Sequence, residues 1–135
     1  MFVLPFDYFY QHIGIGNTVQ PALKAAEMLK TDGINASVVN ARFIKPLDET
    51  LIVSIARRTK KIITVEENVL AGGFGSAVLE CLCKAGIADA SVKLIGIDDV
   101  FVEYGSQRIL REKYGLDEQG IYRTALEFVT GKIRK

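Results

Sequence analysis

Glu66, Glu67 and Asn68 are the residues of this chain best placed to do chemistry. They stand between an apolar, β-branched run at 62–65 and a glycine cluster, Gly72-Gly73-Phe74-Gly75-Ser76. Such a run reads as a buried parallel strand, and the glycines as a sharp turn into the next helix. Two carboxylates and an amide would then reach the carboxyl edge of a sheet, where open α/β folds meet ligands and partner domains. Neighbouring strand residues point to opposite faces, so Glu66 and Glu67 diverge and cannot share a proton as a catalytic dyad. One is expected to cap the following turn and the other to meet a partner. The amides around Gly72, Gly73, Gly75 and Ser76 suit a phosphate, or the glycines let a neighbouring backbone pass closely. The packing and interface reading is favoured.

A second turn, Gly14-Ile15-Gly16-Asn17, also follows a strand and opens a helix. It lacks the third glycine of a dinucleotide fingerprint and the acid that would hold a ribose, so a tight turn with a helix cap is favoured over an anion site. Arg42 and Lys45 could hold a phosphate in a free-standing protein, although a salt bridge across a domain interface is preferred. An unperturbed histidine titrates near neutrality, but the sequence sets no Ser, Cys or Asp beside His12, which reads as a core or surface residue. Tyr104 and Gln107 flank a turn as packing groups. Cys81 and Cys83 lie two apart on a predicted helix and point to nearly opposite sides, which excludes a mutual bridge or a shared metal. They read as core or half-buried thiols of a reducing compartment. No complete catalytic set is present, and the chain is expected to be one domain of a larger enzyme.

Alternating strands and helices must position these residues. A first strand is expected at about 9–15, then a helix with Asn17 as N-cap, Gln20 completing a capping box and Pro21 in its first turn. Val19, Leu23, Ala26 and Leu29 form its apolar stripe, and Gly33 stops it. A second strand spans 36–41 and leaves through an extended segment at 43–47, where Pro46 ends any ladder. Asp48 caps a short helix whose apolar positions are Leu51, Ile52 and Ile55, with Arg57, Arg58, Lys60 and Lys61 at its end. The third strand is 62–66. Ala77, Val78, Cys81, Leu82 and Ala85 mark the next helix and Gly86 its stop. A fourth strand runs 92–97, and residues 98–102 leave the sheet, with a short edge strand as one option. Ser106 caps a helix reaching Tyr114 and Gly115. Asp117 caps the last, in which Ile121, Ala125, Phe128 and Val129 face inward. The order predicts an α/β, three-layer domain with a mostly parallel central sheet of about five strands and helices on both faces.

The 135 residues suit one domain with one sizeable core. An apolar fraction of 49% and a charged fraction of 24% are ordinary for a globular protein. A net charge of +1 gives no electrostatic reason to expect nucleic acid or an anionic membrane as partner. Lys132, Arg134 and Lys135 read as a solvated helix end. No run approaches a membrane span. The apolar start, residues 1–6, lacks the basic region and cleavage site of a signal peptide, so a cytoplasmic location is expected.

Five motifs occur in order: Ala41-Arg42-Phe43-Ile44-Lys45-Pro46-Leu47-Asp48, Thr64-Val65-Glu66-Glu67-Asn68, Gly72-Gly73-Phe74-Gly75-Ser76, Tyr104-Gly105-Ser106-Gln107 and Leu110-Arg111-Glu112-Lys113-Tyr114-Gly115-Leu116-Asp117. Together they resemble the C-terminal domain of the transketolase superfamily, and within it the 1-deoxy-D-xylulose-5-phosphate synthases, over roughly residues 13–128. The resemblance implies a parent enzyme that uses thiamine diphosphate and Mg to condense pyruvate with glyceraldehyde 3-phosphate, releasing carbon dioxide. The product feeds isoprenoid, thiamine and pyridoxal biosynthesis. It also implies that N-terminal and middle domains hold the cofactor, while the C-terminal domain packs on them and contributes to a homodimer. This fragment is therefore expected to bind no cofactor and to be inactive alone. In keeping with that, it carries no Gly-Asp-Gly with a downstream Asn, no middle-domain glutamate context and no substrate-binding histidines. Asp98-Asp99 replaces a common Pro-Asp, and Tyr104 a frequent His. Residues 1–12 read as a divergent or cloning-derived lead-in to a domain at 13–135. Two alternatives stay open: the tail of a transketolase or 2-oxoacid dehydrogenase beta subunit, and a stand-alone anion- or nucleotide-binding module.

Overall fold

Successive residues of one central strand point into two separate apolar clusters, and the domain is layered around that alternation. A computed structural model describes residues 9–14, 16–41, 46–98 and 104–131. Its strands are β1 (Phe9–Gly14), β2 (Asn35–Asn40), β3 (Lys61–Val69) and β4 (Ser91–Ile97). Its helices are α1 (Val19–Thr31), α2 (Glu49–Thr59), α3 (Phe74–Lys84), α4 (Gln107–Tyr114) and α5 (Glu118–Thr130), with a 3-10 turn at Gly16–Thr18 leading into α1. The sheet order is β2-β1-β3-β4 and every pairing is parallel. On one face Ile62 packs with Ile52, Ile55 and Ala56 of α2 and Phe74, Val78, Cys81 and Leu82 of α3. On the other, Ile63 and Val65 pack with Ala25 and Leu29 of α1, Ile95 of β4 and Ile121, Ala125 and Leu126 of α5. Each fully buried Ile, Val, Leu or Phe here contributes about 1.5–3 kcal/mol.

Local capping chemistry agrees with the sequence. The Asp48 carboxylate accepts from Leu51 N–H at 3.0 Å, Ser106 Oγ from Ile109 N–H at 3.4 Å, and the Asp117 carboxylate from Gly120 N–H at 2.9 Å. Gly33, Gly86 and Gly115 lie at φ near +70° just past the ends of α1, α3 and α4.

Several expectations are corrected. Asn17 is not an N-cap: it lies exposed inside the 3-10 turn, and Thr18 stands at the cap position with no side-chain capping bond. The Thr18 hydroxyl instead donates across to the Val65 carbonyl at 3.1 Å. Leu23 is exposed, and Ala22 and Ala25 take the buried face of α1. Lys60, not Lys61, ends α2, and Lys61 opens β3. β3 runs on past Glu66 to Val69, with a register shift against β4 between Val65 and Val69. Ala85 and Cys83 are exposed. In α5, Leu126 is buried while Phe128 and Val129 are half-buried. The described residues hold four strands. Most of 98–102, where a further edge strand was an option, and the extended segment with Arg42 and Lys45 lie outside the described residues. So does the 132–135 tail.

Candidate functional site at the carboxyl edge of the sheet

The chain crosses from β2 over β1 to β3, so the sheet reverses its winding between β1 and β3. In open α/β sheets the crevice at such a reversal, at the carboxyl ends of the strands, is the usual ligand position. The two glycine turns flank it. Gly14 ends β1 opposite Val65 of β3, and Gly16 and Asn17 turn into α1. Beside it the buried Thr18 hydroxyl donates to the Val65 carbonyl, tying the start of α1 to β3.

Glu66 and Glu67 diverge as adjacent strand residues must. Glu66 is wholly buried on the α3 side, where its Oε2 accepts from Gly75 N–H at 2.9 Å. Burial pushes its carboxyl above the usual value, partly offset by the Gly75 and Phe74 backbone N–H groups. The N-terminus of α3 thus receives a carboxyl acceptor from its own chain. Glu67, half-buried on the other side, takes an ion pair from Arg111 Nε of α4 at 2.6 Å. Asn68 is exposed at the end of β3.

The turn is fitted tightly. Gly72 has φ +70°, so a side chain there is strained whatever the space. A Cβ on Gly73 would stand 2.0 Å from Glu66 Oε1 and 2.6 Å from the Val69 carbonyl oxygen. One on Gly75 would stand 2.7 Å from Leu94 and 2.8 Å from Thr64 Oγ1. Ser76 Oγ donates to the Leu70 carbonyl at 2.7 Å, and Leu70 N–H donates to Ile97 across the edge.

The sequence-selected residues therefore separate. Glu66, Gly73, Gly75 and Ser76 form one stitched junction, Glu67 belongs to a contact with α4, and Asn17, Asn68 and Gly72 are exposed. Thr18 and Arg111 were not singled out. Their roles depend on residues 47 and 44 positions away, and no local pattern signals that. A diphosphate does not fit this edge, since at α3 it would meet the Glu66 carboxyl. Among the described residues no group of three His, Cys, Asp or Glu could hold a metal ion.

A family profile described as transketolase, C-terminal domain, matches residues 12–121. The chain is 59% identical over 113 residues to a 1-deoxy-D-xylulose-5-phosphate synthase of Desulforudis audaxviator, covering 84% of this chain and 18% of that relative. It is 52% identical over 119 residues to 1-deoxy-D-xylulose-5-phosphate synthase 1 of Geobacter metallireducens, covering 88% of this chain and 19% of that one. The chain thus spans under a fifth of the length of these relatives. A solved structure titled as a split gene transketolase in an inactive beta4 tetramer superposes with a TM-score of 0.81 at 36% identity, covering 93% of this chain and 40% of that one. With the family profile covering most of the parallel sheet and its helices, the chain belongs to the transketolase C-terminal domain family.

Proposed function

We propose that the chain serves as the C-terminal domain of a thiamine diphosphate-dependent 1-deoxy-D-xylulose-5-phosphate synthase. The parent would join pyruvate and glyceraldehyde 3-phosphate with loss of carbon dioxide. The observation that carries this reading is the 59% identity over 113 residues to a synthase so named. The internal bonding at the carboxyl edge supports a structural role for the domain: Thr18 is tied to the end of β3 and Glu66 to the N-terminus of α3. Its partners are then the other domains of the synthase, in a cytoplasmic homodimer, with no nucleic acid or membrane. No helix among the described residues is long and apolar enough to cross a membrane. The domain proper would begin near residue 13.

The test is a graft. Residues 12–121 replace the matching segment of the Desulforudis synthase, and product formation is followed from pyruvate and glyceraldehyde 3-phosphate. A working chimaera supports the proposal. A folded, dimeric chimaera without turnover sinks it, as does turnover by the isolated chain. The transketolase reading draws on the solved structure at 36% identity, and a chimaera built on that protein and tested with ketose donors separates the two.

A further inference from the structure

Glu66 has one oxygen explained and one left over. The side chain is fully buried; Oε2 is bonded to Gly75 N–H, while Oε1 has no hydrogen-bond partner among the described residues. Oε1 instead faces another acceptor. It and the Val69 carbonyl oxygen lie 2.0 and 2.6 Å from the same point, the place where a Gly73 Cβ would stand. The two oxygens border one spot that no side chain can enter, and neither can donate a hydrogen bond to the other unless the carboxyl carries a proton. Glycine at 73 keeps that spot free, and a Cβ at Gly96 would stand 3.1 Å from Glu66 Cγ, so the carboxyl is held on that side too.

We propose that Glu66 is a proton-operated latch: a proton taken from water onto Oε1 is donated to the Val69 carbonyl, joining the end of β3 to the start of α3, and its loss releases the turn between them. In the closed state one neutral carboxyl spans the junction, donating through Oε1 to Val69 and accepting through Oε2 from Gly75. In the ionised state a buried charge faces a carbonyl oxygen with no donor between them, and solvation of that charge requires the turn to open.

No charged side chain among the described residues competes for this role. On β3, Thr64 shares the face and Glu67 points to the opposite one, paired with Arg111. From α3 the groups that reach Glu66 are the Phe74 and Gly75 backbone N–H, and the charged residues of that helix, Glu80 and Lys84, are exposed turns away. From β4 the neighbour is Gly96, and from the turn Leu70 and Gly73. From α2 the inward residues are Ile52, Ile55 and Ala56. Burial acts in the same direction as the geometry, raising the carboxyl above its ordinary 4.5. The turn that would be released carries Val69, Ala71 and Gly72 at the exposed carboxyl edge, so the latch sets the shape of that surface.

The test uses the whole chain, labelled with 13C at the glutamate carboxyls. The Glu66 carboxyl resonance is titrated, and amide-exchange protection of Gly73 and Gly75 is followed over the same pH range. The expected result is a midpoint above 4.5, with protection at both amides falling about tenfold through it, the equilibrium equivalent of one hydrogen bond. Glu66→Gln keeps a donor and an acceptor in the same shape, so its protection is expected to stay flat. Titration at or below 4.5 overturns the latch, as does protection that ignores the titration or a Gln variant that repeats the wild-type fall. If the variant fails to fold, the wild-type titration and exchange decide alone.

Discussion

Gly120 is a position where one added carbon is costly. A Cβ there would stand 2.4 to 2.6 Å from Gly115 backbone atoms, which cannot swing aside as a side chain can. Gly120→Ala is therefore expected to lose about 1–3 kcal/mol or more in urea unfolding. Gly131, with φ +66° and nothing within 4 Å of a Cβ, should lose only the backbone cost of about 1–2 kcal/mol. The thiols separate in the same residue-level way. Cys83 is exposed, while Cys81 is buried and its thiol is pushed up by burial and by Glu49. Iodoacetamide should label Cys83 in the folded protein and Cys81 only after unfolding; equal labelling rates would contradict the packing of α3. Glu66 gives a pH dependence with a definite sign. Its proton is held more tightly in the folded chain than in the unfolded one, so its contribution is fully present below 4.5 and is lost as pH rises through the folded midpoint. Denaturation midpoints of wild type and Glu66→Gln should therefore approach each other in one direction only, with the wild type losing ground as pH increases.

At the scale of elements, α4 stands apart because it buries no residue, and its Ile109 is exposed. Local stability follows buried apolar contact, so its amides should exchange fastest among the five helices. In the parent, where the domain is proposed to meet neighbours, they should slow. The turn from α2 to β3 offers a second check. Lys60 sits at φ 59° and pairs with the exposed Asp89. A left-handed non-glycine residue costs about 1–2 kcal/mol, whereas an exposed pair contributes about 0–1 kcal/mol. Lys60→Gly should therefore stabilise the chain by up to about 1 kcal/mol even though it deletes the pair. Asp48, Ser106, Asp117 and the glycine stops were legible in sequence because a cap reads groups three or four residues away. Asn17 and Leu23 misled for the opposite reason. The start of α1 is set by Thr18 reaching a strand 47 residues on, and its buried face by where α5 lies. Glu67 was legible as diverging from Glu66, but not as the partner of Arg111, 44 residues away.

At the scale of the whole molecule, both apolar clusters draw on the same strand, β3, so neither layer can be lost without exposing the other. Unfolding should therefore be a single transition, with far-UV and tyrosine signals coinciding. The parallel sheet carries one further consequence, for speed. Its order, β2-β1-β3-β4, contains no hairpin, and β1 acquires its second neighbour only when a segment about fifty residues later arrives. Closing such loops precedes any gain from the contacts they bring. Refolding after dilution from denaturant should accordingly take milliseconds to seconds rather than microseconds, and substitutions at the β1–β3 seam should slow it more than substitutions in α4.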